Sequence, residues 1–144
     1  MAKILVLHGP NLNLLGAREP EIYGHLTLVD INNQLAAQAQ AAGHELVWFQ
    51  SNAEHELVGR IQQTRDDGTA LILFNPAAFT HTSIALRDAL SAADKPAIEV
   101  HISDIKKREK FRHHSMTAGA CRAMISGKGF PGYVAALKLM GKYL

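Results

Sequence analysis

Four short apolar runs, each followed by an amphipathic segment, constrain this chain more than any other feature. Residues 3–7, 45–51, 70–74 and 97–102 are continuously or nearly continuously apolar. Such runs suit strands buried on both faces of a parallel sheet rather than strands with one wet face. Between them the apolar residues change period. Leu26, Val29, Ile31, Leu35, Ala39 and Ala42 form a helical stripe that stops at Gly43. Leu57, Val58 and Ile61 do the same over residues 54–66, which end at Asp67-Gly68. Thr80 or Thr82 is placed to cap a helix running to about Ala92, with Ile84, Leu86 and Leu90 facing inward. Residues 120–125 are expected to form a fifth strand and residues 132–142 a closing helix. Alternation of this kind predicts an α/β fold: a five-stranded parallel sheet with helices on both faces. No repeat, linker or low-complexity segment interrupts it, so residues 1–144 are expected to form one domain.

Composition narrows the function classes. A formal charge of +2 over 144 residues is too weak to favour nucleic acid or an anionic membrane surface as partner. The basic stretch Lys106–Lys110 then reads as a solvated face. One cysteine, Cys121, excludes an intrachain disulfide, and its ordinary reading is a small buried hydrophobe. No apolar run approaches the roughly 20 residues of a membrane span, and no secretory signal is visible. The expected location is the cytoplasm.

In a parallel α/β sheet, ligands bind outside the carboxyl ends of the strands. Polar residues gather there in four segments. The connection after the first strand, residues 8–24, exceeds the usual 2–6 residues and carries Asn11, Arg18 and Tyr23. Asn75 follows the third strand, with Thr80, His81 and Thr82 opening the next helix. Glu99 and His101 end the fourth strand, Ser103 follows, and Arg112, His113 and His114 come in the loop beyond. Each residue has an ordinary reading: Asn75 as a turn residue, His101 as a structural histidine, Arg18 as a solvated charge, Tyr23 as packing. Their convergence on one sheet edge requires several coincidences under those readings.

The residue types point away from several chemistries. No Gly-x-Gly-x-x-Gly follows the first strand, no Walker loop or Gly-x-Ser-x-Gly is present, and no histidine pair has zinc-ligand spacing. Tyrosine, arginine and histidine remain. A tyrosine with an ordinary pKa of about 10 becomes a usable base when an arginine favours its phenolate. A histidine opposite can protonate a leaving hydroxyl, with Glu99 orienting it, and Asn11 can hold a water or an enolate oxygen. Arg112 suits a carboxylate or a hydroxyl-rich ligand. The reaction class is a metal-free dehydration through an enolate. A binding module on the same sheet, or a nucleic-acid binder using residues 106–114, are the competing classes.

Four blocks carry a resemblance. Gly9-Pro10-Asn11-Leu12-Asn13-Leu14-Leu15-Gly16 runs on through Arg18-Glu19-Pro20 to Tyr23-Gly24. Then follow Asn75-Pro76-Ala77-Ala78 with Thr80-His81-Thr82-Ser83 and Ala85-Leu86-Arg87-Asp88; Glu99-Val100-His101-Ile102-Ser103; and Phe111-Arg112-His113-His114-Ser115. Together they resemble type II 3-dehydroquinate dehydratase along essentially the whole chain. The resemblance implies a flavodoxin-like sheet and conversion of 3-dehydroquinate to 3-dehydroshikimate and water, with no cofactor and no metal. It implies Tyr23 as the base, Arg18 on a lid beside it, His101 as the acid, Glu99 as its orienting carboxylate and Asn11 as holder of the enolate's water. Asn75, His81, Asp88, Ile102, Ser103 and Arg112 would bind substrate. It further implies a dodecamer of trimers in which Asp88 reaches a neighbour's site. The reaction would serve aromatic amino acid biosynthesis through the shikimate pathway or, alternatively, quinate catabolism.

Overall fold

A computed structural model describes residues 1–17, 19–23 and 25–144, with Tyr23 described through its backbone alone. Five strands form one sheet: β1 (Lys3–His8), β2 (Glu45–Gln50), β3 (Thr69–Asn75), β4 (Ala97–His101) and β5 (Ala123–Ser126). Every pairing is parallel, in the order β2-β1-β3-β4-β5. This is the flavodoxin-like order, and it reverses direction between β1 and β3. A crevice therefore opens past the carboxyl ends of β1, β3 and β4, the strands whose last residues are His8, Asn75 and His101.

Among the described residues five α-helices flank the sheet: α1 (Pro20–Tyr23), α2 (Leu28–Ala41), α3 (Glu54–Gln63), α4 (Ile84–Ala93) and α5 (Phe130–Leu139). Side chains alternate across the sheet and feed two cores. Ile4, Val6, Leu71, Leu73, Ile98 and Val100 meet Ile31 and Leu35 of α2 and Tyr133 and Ala136 of α5. Leu5, Leu7, Ile72, Phe74 and Ala97 meet Leu57 and Ile61 of α3 and Leu86, Ala89, Leu90 and Ala93 of α4. Helices thus cover both faces, which is why β1 and β3 read as apolar runs and why β4 is buried throughout although it carries Glu99 and His101. The edge strands β2 and β5 are only partly covered, and Trp48 is left 46% exposed.

Several expected boundaries move. α2 begins at Leu28 rather than Leu26, with Thr27 as its cap: its hydroxyl accepts from the Asp30 N–H at 3.1 Å, and the Asp30 carboxylate accepts from the Thr27 N–H at 3.1 Å. The buried stripe is then Leu28, Ile31, Leu35 and Ala39, and Val29, one step around the helix, is exposed. Neither Thr80 nor Thr82 caps α4. Residues 77–81 form a 3₁₀ turn, and the Ser83 hydroxyl accepts from the Leu86 N–H at 2.9 Å. That start leaves Ile84 in the first turn, exposed rather than inward. The fifth strand begins at Ala123 because residues 118–120 are spent in a 3₁₀ turn. Cys121 is half-buried rather than a core residue.

One buried polar pair lies among the apolar residues. His8 is fully buried, and its Nε2 lies 2.7 Å from Oδ1 of Asn32 on α2. Burial lowers the His8 imidazole to about 4, the Asn32 bond opposing only part of that effect. The folded chain therefore holds His8 neutral where the unfolded chain protonates it. That contribution is complete above pH 6.5 and is lost as pH falls towards 4. Linkage puts it at about 3 kcal/mol. Half-buried His81 is also lowered and acts in the same window. Denaturant unfolding at about pH 7 and about pH 5 is expected to show wild type losing stability that a His8→Gln variant, with His81 intact, retains more fully. Equal losses in the two proteins would remove His8 as the cause.

Candidate active site

The first connection enters the crevice through a close approach. A Cβ on Gly9 would sit 2.3 Å from the Pro76 carbonyl oxygen, so only glycine lets β1 and β3 end side by side there. The Gly9 N–H donates to the Asn75 carbonyl at 2.8 Å. Asn11 follows with φ of 69°, a left-handed conformation that asparagine tolerates. The end of β2 holds this turn. Gln50 Nε2 donates to the Gly9 carbonyl at 3.1 Å, and Asn52 Oδ1 accepts from the Asn11 N–H at 3.0 Å.

Asn75 serves the turn and the site together. Its Oδ1 accepts from the Ala77 N–H at 3.0 Å, which supports Ala77 at a φ of 53°. Its Nδ2 donates to the hydroxyl of fully buried Tyr133 at 2.9 Å, tying α5 to the floor of the crevice. Burial is the main cause of a phenol pKa raised above its ordinary value, so Tyr133 stays neutral.

At the end of β4, His101 Nε2 lies 2.8 Å from Glu99 Oε2, with Glu99 wholly buried and His101 nearly so. Burial alone would raise the Glu99 carboxyl. The His101 contact, with donors from Thr117 and Ser115, outweighs it and holds the group below its ordinary value. An ionised Glu99 makes Nε2 the donor, so Nδ1 is the His101 nitrogen left for a ligand. His81 shows the opposite arrangement: its Nδ1 lies 2.9 Å from the His114 carbonyl, leaving Nε2. The carbonyls of residues 101–103 accept from the N–H groups of Gly127 and Gly129, which pins the segment carrying Ile102 and Ser103.

These residues enclose a cleft of about 170 Å³ lined by Asn11, Asn75, His81, His101, Arg108 and Arg112, with Ile102 and Ser103 beside them. It is smaller than the ~300–1,000 Å³ of drug-sized sites. No carboxylate is among the described residues that line it, so its charge favours a small anionic or hydroxyl-rich ligand. It opens past Ile102 and Ser103 into a wider groove where Ile22 of α1 meets Arg108.

Seven of the expected site residues thus meet at one cleft: Asn11, Asn75, His81, His101, Ile102, Ser103 and Arg112. Glu99 stands directly behind His101. Arg18 and the Tyr23 side chain lie outside the described residues. Asp88 is exposed on α4 and does not line the cleft of its own chain. Arg108 corrects the reading of residues 106–110 as a solvated face. Its side chain is only 15% exposed, with NH1 3.4 Å from the Ser103 hydroxyl and NH2 3.9 Å from Glu19 on the first connection. Its place five residues beyond Ser103, past the end of β4, was the available signal.

A family profile, dehydroquinase class II, matches residues 2–141. The chain belongs to the class II dehydroquinase family. A relative from Stenotrophomonas maltophilia, named 3-dehydroquinate dehydratase, is 62% identical over 133 residues, covering 92% of this chain and 90% of the relative. One from Cellvibrio japonicus with the same name is 57% identical over 144 residues, covering 100% and 97%. The crystal structure of type II dehydroquinase from Propionibacterium acnes superposes with a TM-score of 0.94 at 42% identity, covering 99% of this chain and 97% of that one. These three proteins are each matched over 90% or more of their own length.

Proposed function

We propose that this chain is a hydro-lyase that converts 3-dehydroquinate to 3-dehydroshikimate and water by anti elimination through an enolate. The observation that carries the reading is the His101–Glu99 pair at the floor of an arginine-lined cleft with no carboxylate among its described lining residues, in a chain of this family. Tyr23, as tyrosinate favoured by Arg18, takes the proton from C2. Electron density moves onto the C3 oxygen, and a water held by Asn11 stabilises that charge. The enolate then collapses, the C1–oxygen bond breaks, and His101 gives its proton so that water departs. Tyr23 returns its proton through solvent, and His101 is recharged. Arg112 receives the carboxylate, while Asn75, His81 and the Ile102–Ser103 segment hold the hydroxyls. The first connection brings Tyr23 from the side of β1 while His101 stands at the end of β4, which supports acid and base on opposite faces of the ring.

Asp88, exposed on α4, is assigned to a neighbour's cleft across a trimer contact, and four trimers to a dodecamer. A cytoplasmic place in aromatic amino acid biosynthesis is the preferred role. No helix among the described residues is long and apolar enough to cross a membrane.

Mixing the purified protein with 3-dehydroquinate is expected to produce the ultraviolet absorbance of a conjugated enone. The activity is expected to survive borohydride added with substrate, because no imine forms. A folded protein that gives no absorbance gain over an empty-vector control would overturn the reading. Inactivation by borohydride would point instead to a lysine mechanism.

A further inference from the structure

Glu99 receives more donors than its contact with His101 requires. Its Oε2 accepts from His101 Nε2 at 2.8 Å and from the Ser115 hydroxyl at 2.7 Å, and its Oε1 accepts from the Thr117 hydroxyl. Thr117 and Glu99 are both wholly buried. Ser115 Oγ accepts in turn from the Ala118 N–H at 3.0 Å, which occupies one of its two lone pairs and leaves its proton for Glu99. Neither hydroxyl lines the cleft. We propose that Thr117 and Ser115 are positioning residues, a hydroxyl clamp that keeps Glu99 a carboxylate and so keeps His101 able to carry the proton it donates.

The bookkeeping of donors supports this. A protonated Glu99 would need an acceptor, so one of its three present donors, an imidazole N–H and two hydroxyls, would have to turn from donating to accepting. Ser115 already spends one of its two lone pairs on the Ala118 N–H. An ionised Glu99 fixes His101 as an Nε2–H donor, so the proton His101 would give to a ligand is carried on Nδ1, at the cleft. The other titratable groups facing Glu99 reinforce the demand. The Cys121 thiol, on the turn after Thr117, is pushed up to about 12 by burial and by the Glu99 charge, so it stays neutral. His81, on the turn before α4, feels Glu99 favourably but is held down by its own burial, with smaller opposing charges from His101 and Arg112. The clamp is therefore the main neutral support for the buried charge.

The inference rests on the dehydratase reading, and its test separates the two. Thr117→Val keeps the branched shape and removes one donor to a buried carboxylate. Relative to wild type, kcat is expected to fall by up to about ten-fold on the acid limb, with the neutral plateau and KM within about two-fold, because a hydrogen bond to a charged group is lost away from the ligand. The acid limb of the kcat profile should move up by about one pH unit, since Glu99 then protonates more readily. Thr117→Ser should restore both. The acid inflection of the His101 ring resonances, followed by NMR, reports the same Glu99 protonation without any substrate and should move in parallel. Ser115→Ala provides the same readouts should Thr117→Val fail to fold. An unmoved inflection in a folded variant would overturn the clamp. An inactive wild type with a moved inflection would overturn the dehydratase reading and leave the clamp standing.

Discussion

Tyr23→Phe is expected to abolish measurable turnover while leaving substrate affinity within a few-fold of wild type. The substitution removes one oxygen and keeps the ring, so packing and access change little. A general base contributes about 10²- to 10⁴-fold, and here it takes a proton from carbon, where water is a poor substitute. The bound ligand keeps its partners at Arg112, His81 and Asn75, which the substitution does not touch. Tyr23 closes α1, and its neighbour Ile22 lines the groove that joins the cleft. Enone absorbance measures turnover and calorimetric titration with 3-dehydroquinate measures binding. Comparable turnover in the two proteins would remove Tyr23 from the mechanism. Loss of binding in step with turnover would make it a binding residue instead of a base.

The parts of this fold that could be read from sequence are those where one physical demand dominates. β1 and β3 are buried on both faces, and their apolar composition can satisfy nothing else. Where two demands compete, the reading slips. Val29 and Ile84 are apolar, but cap chemistry at Thr27 and Ser83 sets the phase of their helices and turns them outward. Arg108 sits within five consecutive charged residues, a composition typical of a solvated face. A loop past the end of β4 nevertheless folds it back onto Ser103 and Glu19.

The site divides in the same way. His101, Asn75 and Asn11 stand at strand ends, where the topology alone says chemistry collects, and they were legible for that reason. Their supports were not. Tyr133 resembles any core aromatic until Asn75 is found on its hydroxyl. Thr117 lies among small residues with no motif of its own, yet it reaches Glu99 across 18 positions of sequence. Such contacts are long-range in the chain and leave no periodicity. Asn75 also shows that the ordinary and the functional reading can both hold, since one amide supports the turn and lines the cleft.

His101→Ala is expected to lower kcat by about 10²- to 10⁴-fold, the scale of a lost general acid. It should also destabilise the fold, and that second effect can be separated from the first. Removing the imidazole leaves Glu99 as a buried carboxylate with only its two hydroxyl donors, and breaking a buried charge pair from one side costs about 3–5 kcal/mol. The unpaired charge is the cause, so adding Glu99→Gln should recover much of that stability, the neutral amide still meeting Thr117 and Ser115. Turnover should not recover, because neither variant supplies a proton to the departing hydroxyl. Denaturant unfolding reads the first quantity and enone formation the second. Turnover restored in the double variant would mean that charge burial, not proton donation, limits the single one. Near-wild-type kcat in His101→Ala would move the acid elsewhere, with His81 Nε2 across the cleft as the next group to test.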